Sequence, residues 1–332
     1  MIETLYIEHA VYEHPRSQAI RKRFRHASVV PCERYGEVFN PKAQNFRLQK
    51  QQPALILAEK FNRFVLPAPL SYNIGGQHNY YFSHMLNCIY DCRYCFLQGM
   101  YRSANYVLFV NYEDFDQSIE RTTAQHGGEQ VYFFSGYDCD SLALEPVSGF
   151  IEHTLPTFRQ LDNAVIELRT KSTQIRPLLE VDAMPNCVVA FSLSPDVLSH
   201  ALEHKTPPLS KRLDALVKLQ TAGWPIGLRF DPVIYCDNYR ELYSRFFQQV
   251  FQHIRLERLH SVSLGVFRMP QGFYRNIVKR YPDEKLFAGP LAESQAMVSY
   301  ETPLEAEMLA YCRETLLQLM PEEKLFICHE ND

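Results

Sequence analysis

A chain of 332 residues, 46 % apolar and 22 % charged, can bury a sizeable core in one large domain or two. Its formal net charge of −4 gives no global argument for nucleic-acid or membrane binding, so any basic contact has to be local. No run approaches the roughly 20 apolar residues of a membrane span, and MIETLYIEHAVYEHP lacks an apolar signal core, so a cytoplasmic protein with reduced thiols is expected.

Residues 1–70 are rich in charge and proline with weak periodicity, and read as an irregular N-terminal extension or small subdomain. Across 71–290, short β-type runs alternate with helical patterns. Strands are expected at 79–86 (NYYFSHML), 130–135 (QVYFFS), 164–169 (AVIELR), 188–193 (VVAFSL), 226–230 (IGLRF) and 261–267 (SVSLGVF). Helical patterns occupy 113–125, 147–161, 172–180, 209–222, 239–255 and 270–280. The cleanest, LSKRLDALVKLQTAGW, carries Leu209, Leu213, Leu216, Val217 and Leu219 on one stripe and Gly223 as its stop. The remainder, 291–332, is expected to hold a helix at 303–319 and a closing apolar run, KLFICH. Six strand–helix alternations imply an α/β fold with a parallel sheet and right-handed crossovers. Curved into a partial (β/α)6 TIM-like barrel, such a sheet offers its C-terminal strand ends as the reaction site.

Just after the first of these strands comes NCIYDCRYCFLQGMY, with Cys88, Cys92 and Cys95 inside eight positions. The other six cysteines are scattered and read as small core residues. A structural zinc site normally closes four ligands; here it would need His84 or another group to complete C-x3-C-x2-C. Three thiolates also suit an iron–sulfur cluster, with one iron left open to bind a further molecule. C-x3-C-x2-C with an aromatic before the last cysteine, here Tyr94, resembles the signature of the radical S-adenosylmethionine superfamily. That resemblance implies that Cys88, Cys92 and Cys95 ligate a [4Fe-4S] cluster and that S-adenosyl-L-methionine chelates its open iron. Reduction would then yield a 5′-deoxyadenosyl radical. It also implies a full or partial (β/α) barrel.

The segment CRYCFLQ is similar to that of the spore photoproduct lyase family, and the likeness extends over about residues 85–287. SGYDCDSLALEP sets Asp140 and Glu145 on family positions, LRTKS sets Lys171 where the family contacts S-adenosylmethionine, and FSLS sets Ser192 at a ribose contact. EHKTPPLSKRLDAL (Glu203, Thr206, Arg212), LRFDPVIY and FRMPQGFYRNIVKRYP (Arg268) keep the family order. Each has a plainer reading: Lys171 solvated, Ser192 satisfying a carbonyl, Glu145 capping a helix, Asp231 forming a turn, Tyr94 packing. The family repairs a methylene-bridged thymine dimer in DNA, so the resemblance implies a lyase with damaged DNA as partner and a reductant such as flavodoxin or ferredoxin. Three departures lie at the substrate end. Tyr137 stands where the family has its hydrogen-returning cysteine, with Cys139 two residues on; both are candidate catalytic X–H groups. Phe96 replaces a tyrosine, and GPLAESQAMVSYE has no arginine for the family's late Arg-Tyr pair. Radical chemistry on a modified nucleoside or peptide, and a non-catalytic metal-stabilised nucleic-acid-binding protein, stay open. RSQAIRKRFRH and the set Arg275, Lys279 and Arg280 are candidate phosphate contacts.

Overall fold

The computed structural model of this chain describes residues 2–39, 41–69, 72–294 and 296–328. Its N-terminal part holds β1 (Thr4–Glu8), α1 (Pro15–Arg23), β2 (Ser28–Cys32), α2 (Gly36–Phe39), α3 (Phe46–Gln51) and β3 (Leu55–Ala58). After β4 (Leu66–Pro67) and β5 (His78–Phe82) come β6 (Met85–Leu86), β7 (Asp91–Cys92), α4 (Leu97–Met100) and β8 (Tyr106–Phe109). One sheet runs β2-β1-β3-β8-β6, with β1, β2, β3 and β8 parallel. Among the described residues up to 58, regular elements therefore replace the expected irregular extension, and β8 from beyond residue 100 completes their sheet. Weak periodicity has a physical cause here: β3 is buried along its whole length, so LILA shows no alternation. The expected border at residues 70 and 71 falls outside the described residues.

The chain continues with α5 (Tyr112–Ala124), β9 (Val131–Ser135), α6 (Glu145–Ser148), α7 (Phe150–Arg159), β10 (Ala164–Thr170) and α8 (Arg176–Leu179). Next are β11 (Cys187–Ser192), α9 (Asp196–Leu202), β12 (Glu203–His204), α10 (Leu209–Thr221), β13 (Ile226–Val233), α11 (Tyr239–Phe251) and β14 (Leu259–Val266). It ends with β15 (Met269–Pro270), α12 (Gln271–Arg280), β16 (Leu291–Ser294), β17 (Met297–Tyr300), α13 (Thr302–Leu317) and β18 (Leu325–Ile327). The larger sheet runs β4-β5-β9-β10-β11-β13-β14-β18. From β5 to β18 every neighbouring pair is parallel. All six expected strands are present in chain order, and KLFICH supplies a seventh; His329 of that run lies outside the described residues.

Three expected elements differ. The run 79–86 serves both sheets: β5 stops at Phe82, and Met85–Leu86 pairs antiparallel with β8. The helix over 147–161 is divided at Gly149, whose φ of 56° ends α6 before α7 begins. Of 172–180 only Arg176–Leu179 is helical.

Side chains of one sheet face, such as Ile166, Leu168, Val189 and Phe191, pack into the main core. The opposite face gathers Tyr132, Phe134, Val165 and Val188 around Ile74, and Phe326 of β18 packs on the same cluster. A Cβ on Gly75 (φ 98°) would meet the Phe326 ring at 3.0 Å, so glycine lets the last strand close over the first. This curl gives a half-barrel. On its inner face Glu167 and Arg229, both buried, form a bidentate pair at 3.1 and 2.8 Å, the arrangement buried charge requires. Gly227 leaves room for that guanidinium, which a Cβ there would meet at 2.7 Å. Among the described residues no helix is long and apolar enough to cross a membrane.

Candidate active site

The cysteine segment follows β6, at the edge of the smaller sheet, and is clamped at both ends. Asn87 adopts a left-handed φ of 71°. Its side chain donates to the carbonyls of Ser103 and Asn105 at 3.0 and 3.1 Å and accepts from the Cys88 N–H at 3.0 Å. Asn is one of the few residues that tolerate this conformation. Further on, Cys92 pairs with Glu203 in the two-stranded β7–β12 ladder, and the Arg93 N–H donates to the Leu202 carbonyl at 2.8 Å. Lys50 of α3, almost fully buried, donates to the carbonyls of Cys88 and Tyr90 at 3.2 and 3.0 Å. Nothing in its surroundings in the sequence, LQKQQP, signals that role.

The thiols suit a cluster. The Cys88 sulfur accepts from the Tyr90 N–H at 3.4 Å, and Cys95 from Leu97 N–H. Burial pushes Cys88 up to about 12 and raises Cys92 and Cys95 as well. Any metal bound there would have to displace their protons. Among the described residues no three His, Cys, Asp or Glu side chains converge as on a single metal ion; a cluster spreads three thiolates over three irons. His84 does not join them. It stacks on Phe150 at 3.8 Å with its Nδ1 unpartnered, and burial holds it down at about 3.

Behind the trio lies a buried polar network. Glu203 accepts from the Tyr94 hydroxyl and the Arg212 guanidinium, from Ser194 at 3.1 Å and from Ser199 at 2.8 Å. Lys171 Nζ stands 3.9 Å from the same carboxylate and 5.5 Å from the Tyr94 ring centroid. Lys171 and Arg212 outweigh the burial cost and hold Glu203 down at about 2. Thr206 joins through Arg212 at 2.8 Å, so EHKTPPLSKRLDAL encodes one cluster of contacts. Asp140 latches two strand ends together. It accepts from the N–H groups of Leu142, Ala143 and Lys171 at 3.0, 2.9 and 2.7 Å and from the Thr170 hydroxyl at 2.6 Å. Burial raises its pKa against those bonds. Asp140 thus positions Lys171. At the end of β11, the Ser192 carbonyl accepts from Arg212 at 3.2 Å, while its hydroxyl has no partner among the described residues.

Glu145 and Cys139 are each held by a backbone N–H, Glu145 at α7 and Cys139 close enough to Cys88 for the two thiols to interact. Glu145 accepts from the Ile151 N–H at 3.1 Å and from Ser148 Oγ at 3.4 Å, at the start of α7. Burial raises it to about 8. The buried Cys139 thiol accepts from the Met85 N–H, and burial pushes its pKa well up. Tyr137 is more open. Its ring meets Tyr81 at 4.4 Å, Tyr72 at 5.5 Å and Phe96 at 5.6 Å, and its hydroxyl has no partner among the described residues. Alongside, Arg169 lies over Tyr72 at 4.2 Å, and Arg268 pairs with Asp231 at 3.0 Å. Glu167, Arg169 and Arg229 went unremarked in the sequence. Their signal was charge inside otherwise apolar strands, at alternating positions of β10 and in β13.

The arrangement sets three clustered thiols beside a cation, a hydroxyl unpartnered among the described residues and a tyrosine. A family profile described as spore photoproduct lyase matches residues 71–310. The spore photoproduct lyase of Bacillus subtilis (strain 168) is 24 % identical over 293 residues, covering 86 % of this chain and 83 % of that one. That of Geobacillus sp. (strain Y412MC61) is 22 % identical over 202 residues, covering 60 % and 59 %. Among solved structures, a double mutant of spore photoproduct lyase with bound AdoMet and dinucleoside spore photoproduct has a TM-score of 0.85. It is 16 % identical, with 99 % of this chain and 98 % of that one covered, a likeness of fold. The profile matches well over half of the sequence, and the chain belongs to the spore photoproduct lyase family.

Proposed function

We propose that this chain is a cytoplasmic radical S-adenosylmethionine enzyme of lyase type that repairs a thymine photolesion in DNA. Cys88, Cys92 and Cys95 would hold a [4Fe-4S] cluster, which supplies one electron to split the sulfonium of bound S-adenosylmethionine into a hydrogen-abstracting species. Lys171, held by Asp140 and flanked by Tyr94, supplies a point charge for the cofactor's carboxylate. The free Ser192 hydroxyl suits a ribose edge. Glu145 has its carboxylate at α7, and any part it has at the cofactor is indirect. The observation that carries the reading is the clamped trio beside Lys171 on strand ends, in a chain of this family.

Tyr137 is the residue we assign to return a hydrogen atom to the product. Its hydroxyl is unpartnered beside Phe96, while the Cys139 thiol is bonded into the core. The same pairing of Tyr137 with Phe96 favours a second reading, radical chemistry on a different substrate, since Phe96 has no hydroxyl to take part in transfer. An acidic carrier such as flavodoxin or ferredoxin would deliver the electron.

The test is anaerobic reconstitution with iron and sulfide, reduction, and addition of S-adenosylmethionine with and without a spore-photoproduct dinucleotide. The expected result is 5′-deoxyadenosine in the wild type, none with Cys92→Ala, and thymines released from the lesion. Cleavage without repair would move the enzyme to the second reading. A reduced cluster that leaves S-adenosylmethionine intact would refute both.

A further inference from the structure

We propose that the basic pocket between α3 and α12 is the docking face for an acidic one-electron carrier protein; this rests on reading Cys88, Cys92 and Cys95 as cluster ligands. The pocket, about 380 Å³, is lined by Phe46, Arg47, Lys279 and Arg280 among others, and by none of Lys171, Ser192 or Tyr137.

Both its walls are bonded to the cysteine segment. From α3, Lys50 donates to the carbonyls of Cys88 and Tyr90 at 3.2 and 3.0 Å. From α12, Arg280 donates to the carbonyls of Gln98 and Tyr101, the latter at 2.8 Å. A carrier seated here would be oxidised by one electron and would reduce the cluster held by Cys88, Cys92 and Cys95 from the backbone side of its loop, with no bond made or broken and without occupying the substrate mouth.

Charge points to the partner's sign. Arg47 and Lys279 are exposed and form no ion pair among the described residues, whereas Arg275 is engaged by Glu293 and Arg93 by Asp91 and Glu284. Exposed Lys205 extends the patch, its Nζ donating to the Lys50 carbonyl at 2.9 Å. On a chain with a net charge of −4, this concentration is local. Leu48, 60 % exposed beside Arg47, adds an apolar contact. A protein interface uses apolar surface inside a charged rim, and a row of phosphates does not, which favours a carrier protein over DNA. Such an encounter is steered by charge and weakened by salt.

The probe is an acidic flavodoxin, titrated into holoenzyme carrying Arg47→Glu and Lys279→Glu together. The expected result is binding weaker by about tenfold, with the salt dependence of the wild type largely lost. Flavodoxin-driven bleaching of the cluster slows in proportion, and dithionite-driven bleaching is unchanged. Wild-type affinity for flavodoxin in the variant overturns the docking face while leaving the cluster reading intact. So does intact flavodoxin binding with weakened duplex-DNA binding, which would make the patch a phosphate contact. If dithionite reduces no cluster in the wild type, the reading beneath the proposal fails, and the proposal fails with it.

Discussion

Tyr137 lies among Tyr72, Tyr81 and Phe96 with a hydroxyl unpartnered among the described residues, and the buried Cys139 thiol accepts from the Met85 N–H. Two positions along a loop separate the more exposed X–H group from the buried one, and loop spacing alone does not carry that information. Tyr137→Phe keeps ring packing and removes only the hydroxyl. It is expected to leave S-adenosylmethionine cleavage intact and slow product formation at least about a hundredfold, the low end for a positioned transfer group. Cys139→Ala is expected to keep product formation and cost about 1 kcal/mol of stability, the scale of one buried heavy atom. Comparing 5′-deoxyadenosine with repaired product in the two variants separates the roles. Glu203 makes the second prediction at this scale. Its folded pKa, about 2 against a usual 4.5, means its stabilisation is present above pH 4.5 and lost as pH falls toward 2. Glu203→Gln strands the buried Arg212 charge and should cost about 3 kcal/mol at pH 7. Denaturant unfolding at pH 3 should show that gap shrinking.

At the scale of elements, α7 begins one residue after Gly149 and takes its N-terminal partner from Glu145, six residues before the Ile151 N–H it binds. Helix N-termini favour an acid, yet burial raises Glu145 to about 8, so at pH 7 it is largely protonated. A carboxyl whose folded pKa is raised stabilises fully below its unfolded value of 4.5, and the contribution is lost as pH rises through 8. Glu145→Gln mimics the protonated form. The wild type is therefore expected to lose stability relative to this variant, on the order of 3 kcal/mol between pH 5 and 8. Melting both proteins across that window checks it, and parallel curves would remove the linkage. The plainer reading of Glu145 as a helix cap was legible from an acid before Pro146, whereas its link to Ile151 required the break at Gly149. The run 79–86 was a similar case. Eight residues of β character do not say that Ser83 and His84 hand the chain from one sheet to another.

For the whole molecule, the half-barrel was legible because QVYFFS, AVIELR and VVAFSL are near-continuous apolar runs between helical patterns, the mark of parallel strands covered on both sides. The N-terminal sheet was not. Its strands have two to five residues, and β3 finds its partner, β8, about fifty residues on, beyond the cysteines. What ties these parts together is specific. Leu55–Ala58 pairs with Tyr106–Phe109, and Arg16 reaches the Val110 carbonyl at 2.6 Å and Glu113 at 2.8 Å. The buried Glu8 carboxylate takes the N–H groups of Tyr35 and Glu59 at 2.6 and 3.0 Å, while Lys50 holds the cysteine loop. We expect that the N-terminal part is a scaffold for the metal site rather than an appended extension. Deleting residues 1–60 would expose an open edge on β8 and take the Lys50 bonds from Cys88 and Tyr90. The expected outcome is loss of a cooperative thermal transition in near-UV circular dichroism, with iron incorporation on reconstitution falling far below that of the full chain. A truncated protein that melts cooperatively and loads its iron fully would show that the barrel holds the cluster loop on its own.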